Sequence, residues 1–277
     1  MYLIILAISL VKHKNKKNAK RKNKMITFDA LIIREKHIGE RNRIITVLAK
    51  DHGVIDIFCR GGMKLTSKNF SATQLFSYST LCVEVKVNAK GERLYYLNSS
   101  QTKNLFYNIR LDLINACLAS YISELLCYCG TAEKDFGEIL RLTLNTYYSL
   151  DTNRQPPELL KSIFEIRLLC EIGFRPNLLG CNKCLKYEAD HMHFNIMTGK
   201  ILCDNCCEDS DNGFDFVFDK GMFYILRYIM LTDYDRLFSF KVSDKAQKLL
   251  TAFSESFVSY HIKPKFDTRD FYRQMAH

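Results

Sequence analysis

The chain has 277 residues, of which 47% are hydrophobic and 25% charged. Those proportions argue against a disordered or collagen-like chain and leave room for one large core or two to three small ones. The formal charge of +10 points toward a polyanion, although where the charge sits says more than its total.

Much of the excess lies at the start. Residues 1–24 carry Lys12, Lys14, Lys16, Lys17, Lys20, Arg21, Lys22 and Lys24 and no acid. Residues 25–115 hold 13 Lys/Arg against 8 Asp/Glu, whereas residues 116–277 hold 19 against 22. Met1–Val11 is apolar but shorter than the roughly 20 residues that span a bilayer. Its charge follows the apolar run, the reverse of a secretory signal. Residues 1–24 are therefore expected to be a non-structural extension ahead of a start at Met25, the alternative being a weak membrane-surface or nucleic-acid arm.

From Phe28 the hydrophobic pattern has a period near two, as strands require. Strands are expected at Phe28–Lys36, Arg43–Lys50, Val54–Arg60, within Leu75–Val87, and at Leu94–Ser99. Turns fall at Asp51-His52-Gly53, Gly61-Gly62 and Asn88–Gly91. Five strands in a short stretch would expose open edges, and closure into an OB-type barrel removes them. Residues 25–103 are read as this barrel. Arg34, Arg41, Arg43, Arg60, Lys64 and Lys68 fall at its strand ends and loops, with Phe58, Tyr78, Tyr95 and Tyr96 interleaved. Single-strand binders combine a cationic groove with aromatic platforms. The bland reading is a solvated rim over a barrel core, and it is favoured for any single aromatic; binding is favoured for the cations as a set.

Beyond residue 104 the period changes to 3.6. Ile114, Cys117, Leu118, Tyr121, Ile122 and Leu125 share a helical face, and further helices are expected at Ala132–Leu150, from Pro156-Pro157 to a stop at Gly173, at Asp219–Leu231, and at Ser243–His261. The chain is thus read as α+β, with a barrel followed by a helical domain over 104–277.

Eleven cysteines divide into two groups. Cys59, Cys82, Cys117, Cys127, Cys129 and Cys170 stand singly in apolar runs and read as buried reduced thiols. Cys181-x2-Cys184 and Cys203-x2-Cys206, 18 residues apart, match the spacing of a four-cysteine zinc site. The site is placed at about 178–210, with a hairpin of Met192–Asn195 and Lys200–Leu202 between the pairs. Four thiolates leave no open position, so the zinc is read as structural. Cys207 could replace Cys206, and His191 or His193 lies between the pairs. Two unrelated thiol pairs, or a redox disulfide, are the competing readings.

Catalytic signatures are missing. No Walker-type loop, dinucleotide fingerprint, zinc-protease helix or nucleophile elbow occurs. A zinc deaminase would need His-x-Glu and Pro-Cys-x-x-Cys, whereas Gly180 precedes Cys181, Leu202 precedes Cys203, and no glutamate follows the histidines at that spacing. A binding protein, not an enzyme, is the default.

Ala30–Ala49, Asp51–Gly62, Phe164–Cys184 and Thr198–Cys203, taken in order, resemble the RecO family of DNA repair proteins. The resemblance covers residues 25 to about 260. It implies a recombination mediator that binds single- and double-stranded DNA, anneals complementary strands, and helps load RecA together with RecR and SSB, without nucleotide hydrolysis. It further implies a cytoplasmic protein, nucleoid-associated when on DNA, with no membrane partner. The loop Arg60-Gly61-Gly62-Met63-Lys64 carries fewer cations than such a loop would be expected to have. The alternative function is a zinc-stabilised OB-fold RNA-binding or ribosome-associated protein, because such barrels serve both nucleic acids.

Overall fold

The computed structural model describes residues 24–64, 66–132, 134–207 and 213–276. The apolar start and most of the basic tail lie outside the described residues. Lys24 does not: it already pairs with Val85, so the first strand begins one residue before Met25.

Five strands, β1 (Lys24–Ile38), β2 (Asn42–Ala49), β3 (Gly53–Cys59), β4 (Tyr78–Val87) and β5 (Arg93–Asn104), close into a barrel of order β1-β2-β3-β5-β4. β1 is long enough to pair with both β4 and β2, and its register shifts between Ile32 and Arg34 as it passes from one to the other. A bulge of this kind bends a strand and helps a sheet to close. Closure itself rests on two parallel pairs, Ile57↔Tyr95 and Phe58↔Tyr96.

Alternation sorts the side chains. Ile32, Ile45, Val47, Ile57, Leu81, Val83 and Tyr95 fill the barrel. Leu31, Ile33 and Leu48 leave its outer face and enter the helical core. Both faces of this part of β1 are thus buried, which is why Ala30-Leu31-Ile32-Ile33 reads as an unbroken apolar run.

Two expected boundaries shift. Of Leu75–Val87 only Tyr78 onward is strand, because Phe76 turns through φ +67°. That turn places its ring in the helical core, 5.7 Å edge-on from Tyr147. The helix expected at Ala132 begins at Gly137. Residues before it are spent on the barrel's turn: Ala132 bridges Gly53, and Phe136 N donates to Lys50 O at 2.7 Å. Gly53 has φ +65°, and a Cβ there would lie 2.0 Å from Thr131 O, so only glycine fits.

The helical domain comprises α1 (Leu113–Cys129), α2 (Gly137–Asp151), α3 (Pro157–Leu169), α4 (Asp204–Cys207), α5 (Lys220–Leu231), α6 (Asp244–His261) and α7 (Asp267–Ala276). α7 was not expected from the pattern. Ser243 caps α6 through Ala246 N, as anticipated. α3 is buried from Leu159 to Leu169, including three charged residues. Glu165 accepts from Tyr121 (2.7 Å), Lys161 (3.1 Å) and Ser254 (2.6 Å). Lys161 also reaches Glu255 at 2.8 Å, and Arg167 donates to the Ile229 and Met230 carbonyls at the end of α5. Buried charge is tolerated only when paired and hydrogen-bonded in this way. Just past α3, Gly173 takes φ +107° and ends the helix.

A three-stranded sheet ordered β7-β6-β8, made of β6 (His191–Phe194), β7 (Ile201–Cys203) and β8 (Phe216–Asp219), projects from this domain. Such short strands cannot stand alone. Phe194 and Phe218 lie 5.3 and 5.4 Å from Phe253 of α6, and the buried Arg227 of α5 donates to the carbonyls of Leu178, Leu179 and Tyr187. The lobe is thereby bolted to the helices. None of the helices among the described residues is long and apolar enough to cross a membrane.

Candidate nucleic-acid interface and metal centre

The two Cys-x2-Cys turns are brought together by the β6–β7 hairpin and by Cys181 N donating to Lys186 O at 2.9 Å. The sulfurs of Cys181, Cys184, Cys203 and Cys206 all lie within 4.8 Å of one another, and the Cys184–Cys203 pair is 3.7 Å apart. All four thiols are free. Burial pushes the Cys181 thiol up, but N–H groups of Cys184, Cys203 and Lys183 outweigh it and bring it down to about 6. Burial and three crowding thiols push Cys206 up to about 12. A cluster of thiols that cannot all ionise beside one another suits a cation at its centre. The arrangement can hold one four-coordinate metal ion.

The competing ligands fall away from the cluster. Cys207 packs half-buried against the core, outside the group of four. His193 Nε2 lies 2.9 Å from Asp204 Oδ1, and His191 Nδ1 lies 3.6 Å from Asp204 Oδ2. The other six cysteines are free and buried or half-buried.

At the barrel, the β1–β2 hairpin tip and the segment after β3 form one basic end. Gly61 N donates to Asn42 Oδ1 at 2.9 Å and Met63 N to Arg41 O at 3.2 Å. Arg41, Arg60, Lys64 and Lys68 are exposed, and none makes a side-chain hydrogen bond or ion pair among the described residues. Arg34 is exposed but shares Asp56 with Thr46, donating to Thr46 Oγ1 at 3.2 Å and lying 3.9 Å from Asp56.

Arg43 must be withdrawn from the phosphate contacts. Its side chain is only 3% exposed; it donates to Glu35 at 3.0 Å, to Phe70 O at 3.2 Å and to Thr73 Oγ1. Along β2 it shares the inward register of Ile45 and Val47, so at the barrel's mouth it becomes an internal strut that ties the basic segment down. The aromatics divide as well. Tyr95 is buried in the barrel, Tyr78 is half-buried beneath Lys103, and Phe58 and Tyr96 meet edge-to-face on the outer surface at 5.9 Å.

Two family models divide the chain between them: "Recombination protein O N terminal" matches residues 24–106, and "Recombination protein O C terminal" matches residues 110–270. The chain belongs to the recombination protein O family. Among curated relatives, the DNA repair protein RecO of Acetivibrio thermocellus is 29% identical over 88% of this chain and 95% of its own length. That of Dehalococcoides mccartyi is 33% identical over 64% of this chain and 68% of its own length, and that of Desulforamulus reducens is 24% identical over 90% and 94%.

Within this RecO-family chain, two further lysines of the barrel's basic set stand on the sheet surface beside the predicted cations. Lys36, exposed on β1, pairs in register with Ile44 on the same outer surface as Phe58. Lys86 stands 4.8 Å over the Tyr96 ring.

Proposed function

We propose that this chain is a recombination mediator of DNA repair that binds DNA and acts without catalysis, in partnership with RecR. The observation that carries the reading is the basic end of the barrel: four exposed cations, Arg41, Arg60, Lys64 and Lys68, held on one surface by backbone ties, in a chain spanned by both recombination protein O models. Arg34 contributes from the neighbouring face. Phosphate neutralisation by such a set releases counterions and needs no sequence readout. Annealing follows from the same physics, because screening phosphate repulsion raises the encounter rate of complementary strands. Contact with SSB and assistance to RecA loading belong to the same reading, with the protein in the cytoplasm and on the nucleoid.

The metal in this reading is structural zinc held by Cys181, Cys184, Cys203 and Cys206. A zinc–sulfur bond of about 2.3 Å gives a tetrahedron with edges of about 3.8 Å, and the 3.7 Å Cys184–Cys203 separation fits it. When bound, zinc supplies a crosslink between the two Cys-x2-Cys turns and no reactive position.

Annealing of two complementary oligonucleotides coated with SSB, followed across a salt series, tests the function. Acceleration that fades with salt is expected. No acceleration by folded, metal-loaded protein would overturn it, and tighter binding of RNA than of DNA of equal length would move the assignment to RNA.

A further inference from the structure

The sheet of the cysteine lobe has two faces, and the run His191-Met192-His193-Phe194 sorts them. Successive side chains of a strand point to opposite sides. Met192 and Phe194 are buried in the helical core, so His191 and His193, two residues apart, stand together on the other face. His193 pairs in register with Leu202 of β7 and Val217 of β8, and His191 with Asp219 of β8. Met192↔Cys203 is the last pair of the β6–β7 ladder. Asp204 follows directly, at the start of α4, and the register thus lays it alongside the two imidazoles.

One carboxylate faces both rings. Asp204 Oδ1 lies 2.9 Å from His193 Nε2, and Oδ2 lies 3.6 Å from His191 Nδ1 while accepting from His191 N at 3.2 Å. A brace between strand and helix would need only the first of these ring contacts. The second is too long for a hydrogen bond, and His191 has 55% of its side chain exposed, so its ring is free to turn toward the carboxylate. Asp219 is occupied in capping α5 through Met222 N. Two imidazoles and one carboxylate make a donor set for borderline divalent transition ions, whereas magnesium and calcium take mainly oxygen ligands, about six or more. Three protein donors leave a position for water, so such a site is open where the four-thiol cluster is closed. The four thiols gather without any of these three residues.

We propose that His191, His193 and Asp204 form a second metal site, an exchangeable one for a divalent transition ion such as zinc or nickel, completed when the His191 ring swings in. An ion held there ties β6 to α4, the turn that carries Cys206. The free-ion concentration then sets how firmly the second Cys-x2-Cys pair is held, because an ion that binds only the folded lobe stabilises it by mass action. The site goes beyond the nucleic-acid reading and does not depend on it.

The full chain, its thiol cluster first filled with zinc, is titrated with zinc chloride by calorimetry while a proton–nitrogen correlation spectrum reads the ring nitrogens of its seven histidines. Binding of one further ion is expected, with the rings of His191 and His193 shifting together and magnesium chloride shifting neither. His191→Ala and Asp204→Asn should each weaken that step by at least the roughly 10- to 100-fold that losing a supporting partner of a metal ligand costs. Both should keep the thiolate-to-cobalt absorption of the cobalt-substituted thiol cluster, which shows that the lobe is still folded. His191 is exposed, so its variant carries the test if Asp204→Asn destabilises the lobe. No further ion would overturn the site. A further ion bound as tightly by His191→Ala as by wild type would overturn it too, as an adventitious ion only, and equal shifts with magnesium would refute the ligand class.

Discussion

The barrel and the cysteine lobe solve the same problem, a small sheet with exposed edges, by different means. The barrel removes its edges by closure: all five strands are paired on both sides, and its interior is mainly apolar, with Arg43 at its mouth and Ser79 as polar exceptions that hydrogen-bond to neighbouring groups. The lobe has strands of only three or four residues and leaves its sheet open. It depends on what is fastened to it: four thiols on one side, and a phenylalanine cluster with Arg227 on the other. The barrel can therefore offer its surface cations to a ligand, whereas Asn182, Asn195 and Asp204 of the lobe, with Arg227 beneath it, hydrogen-bond to hold it together.

Metal removal should break the comparison most severely. Structural zinc contributes an apparent ~10–16 kcal/mol in isolated finger peptides at neutral pH. A chelator, or Cys206→Ser, is expected to abolish protection of residues 178–207 in hydrogen exchange while the barrel amides stay protected. Loss of protection in both regions together would show that the lobe supports the barrel.

Within the barrel, Arg43 and Arg60 should separate cleanly. Arg43→Ala leaves Phe70 O and the Thr73 hydroxyl without their buried donor, which costs about 1–3 kcal/mol and should appear as a lower denaturation midpoint. Arg60→Ala should leave the midpoint in place and lower DNA affinity. If the two variants exchange these phenotypes, the strut assignment is wrong.

Charge reversal at Arg41, Arg60 and Lys64 sharpens the same contrast from the ligand's side. Each lost phosphate contact should reduce the slope of log affinity against log salt by about 0.7–0.9, with no change in thermal midpoint. An unchanged slope would remove these residues from the interface.

The smallest effect concerns acid. Burial raises the Glu255 carboxyl, but Arg273 and Lys161 outweigh it and hold the group below its usual range. Its stabilising contribution is therefore present above the ordinary glutamate pKa and is lost as pH falls through the lowered value. Wild type and Glu255→Gln, melted between about pH 7 and about pH 3, should differ most at neutral pH and converge in acid. A gap that widens in acid would refute this.

Much of the candidate site was legible in one dimension. The two Cys-x2-Cys pairs encode a metal site by local spacing, and the fold keeps Cys206 as the fourth sulfur where adjacent cysteines had left two choices. The exposed cations were legible because loops and strand ends put lysine and arginine into water. Arg43 was misread because attention to its charge overrode its register; counting back from Val47 and Ile45 places it inside. β8 stayed hidden because Phe216–Asp219 is too short to show a period. α7 did so because its polar sequence buries only Arg269 and Tyr272.

By itself the sequence determined the α+β order, the alternation of the barrel strands, the Ser243 cap and the four-thiol set, all of which depend on neighbours a few residues apart or on paired local turns. Only the tertiary structure decided which partner each strand meets, how β1 serves both the barrel and the helices, and why Lys161, Glu165, Arg167 and Arg227 are inside. Those outcomes depend on groups tens of residues apart, and a buried charge is stable only where the fold has already assembled its partners.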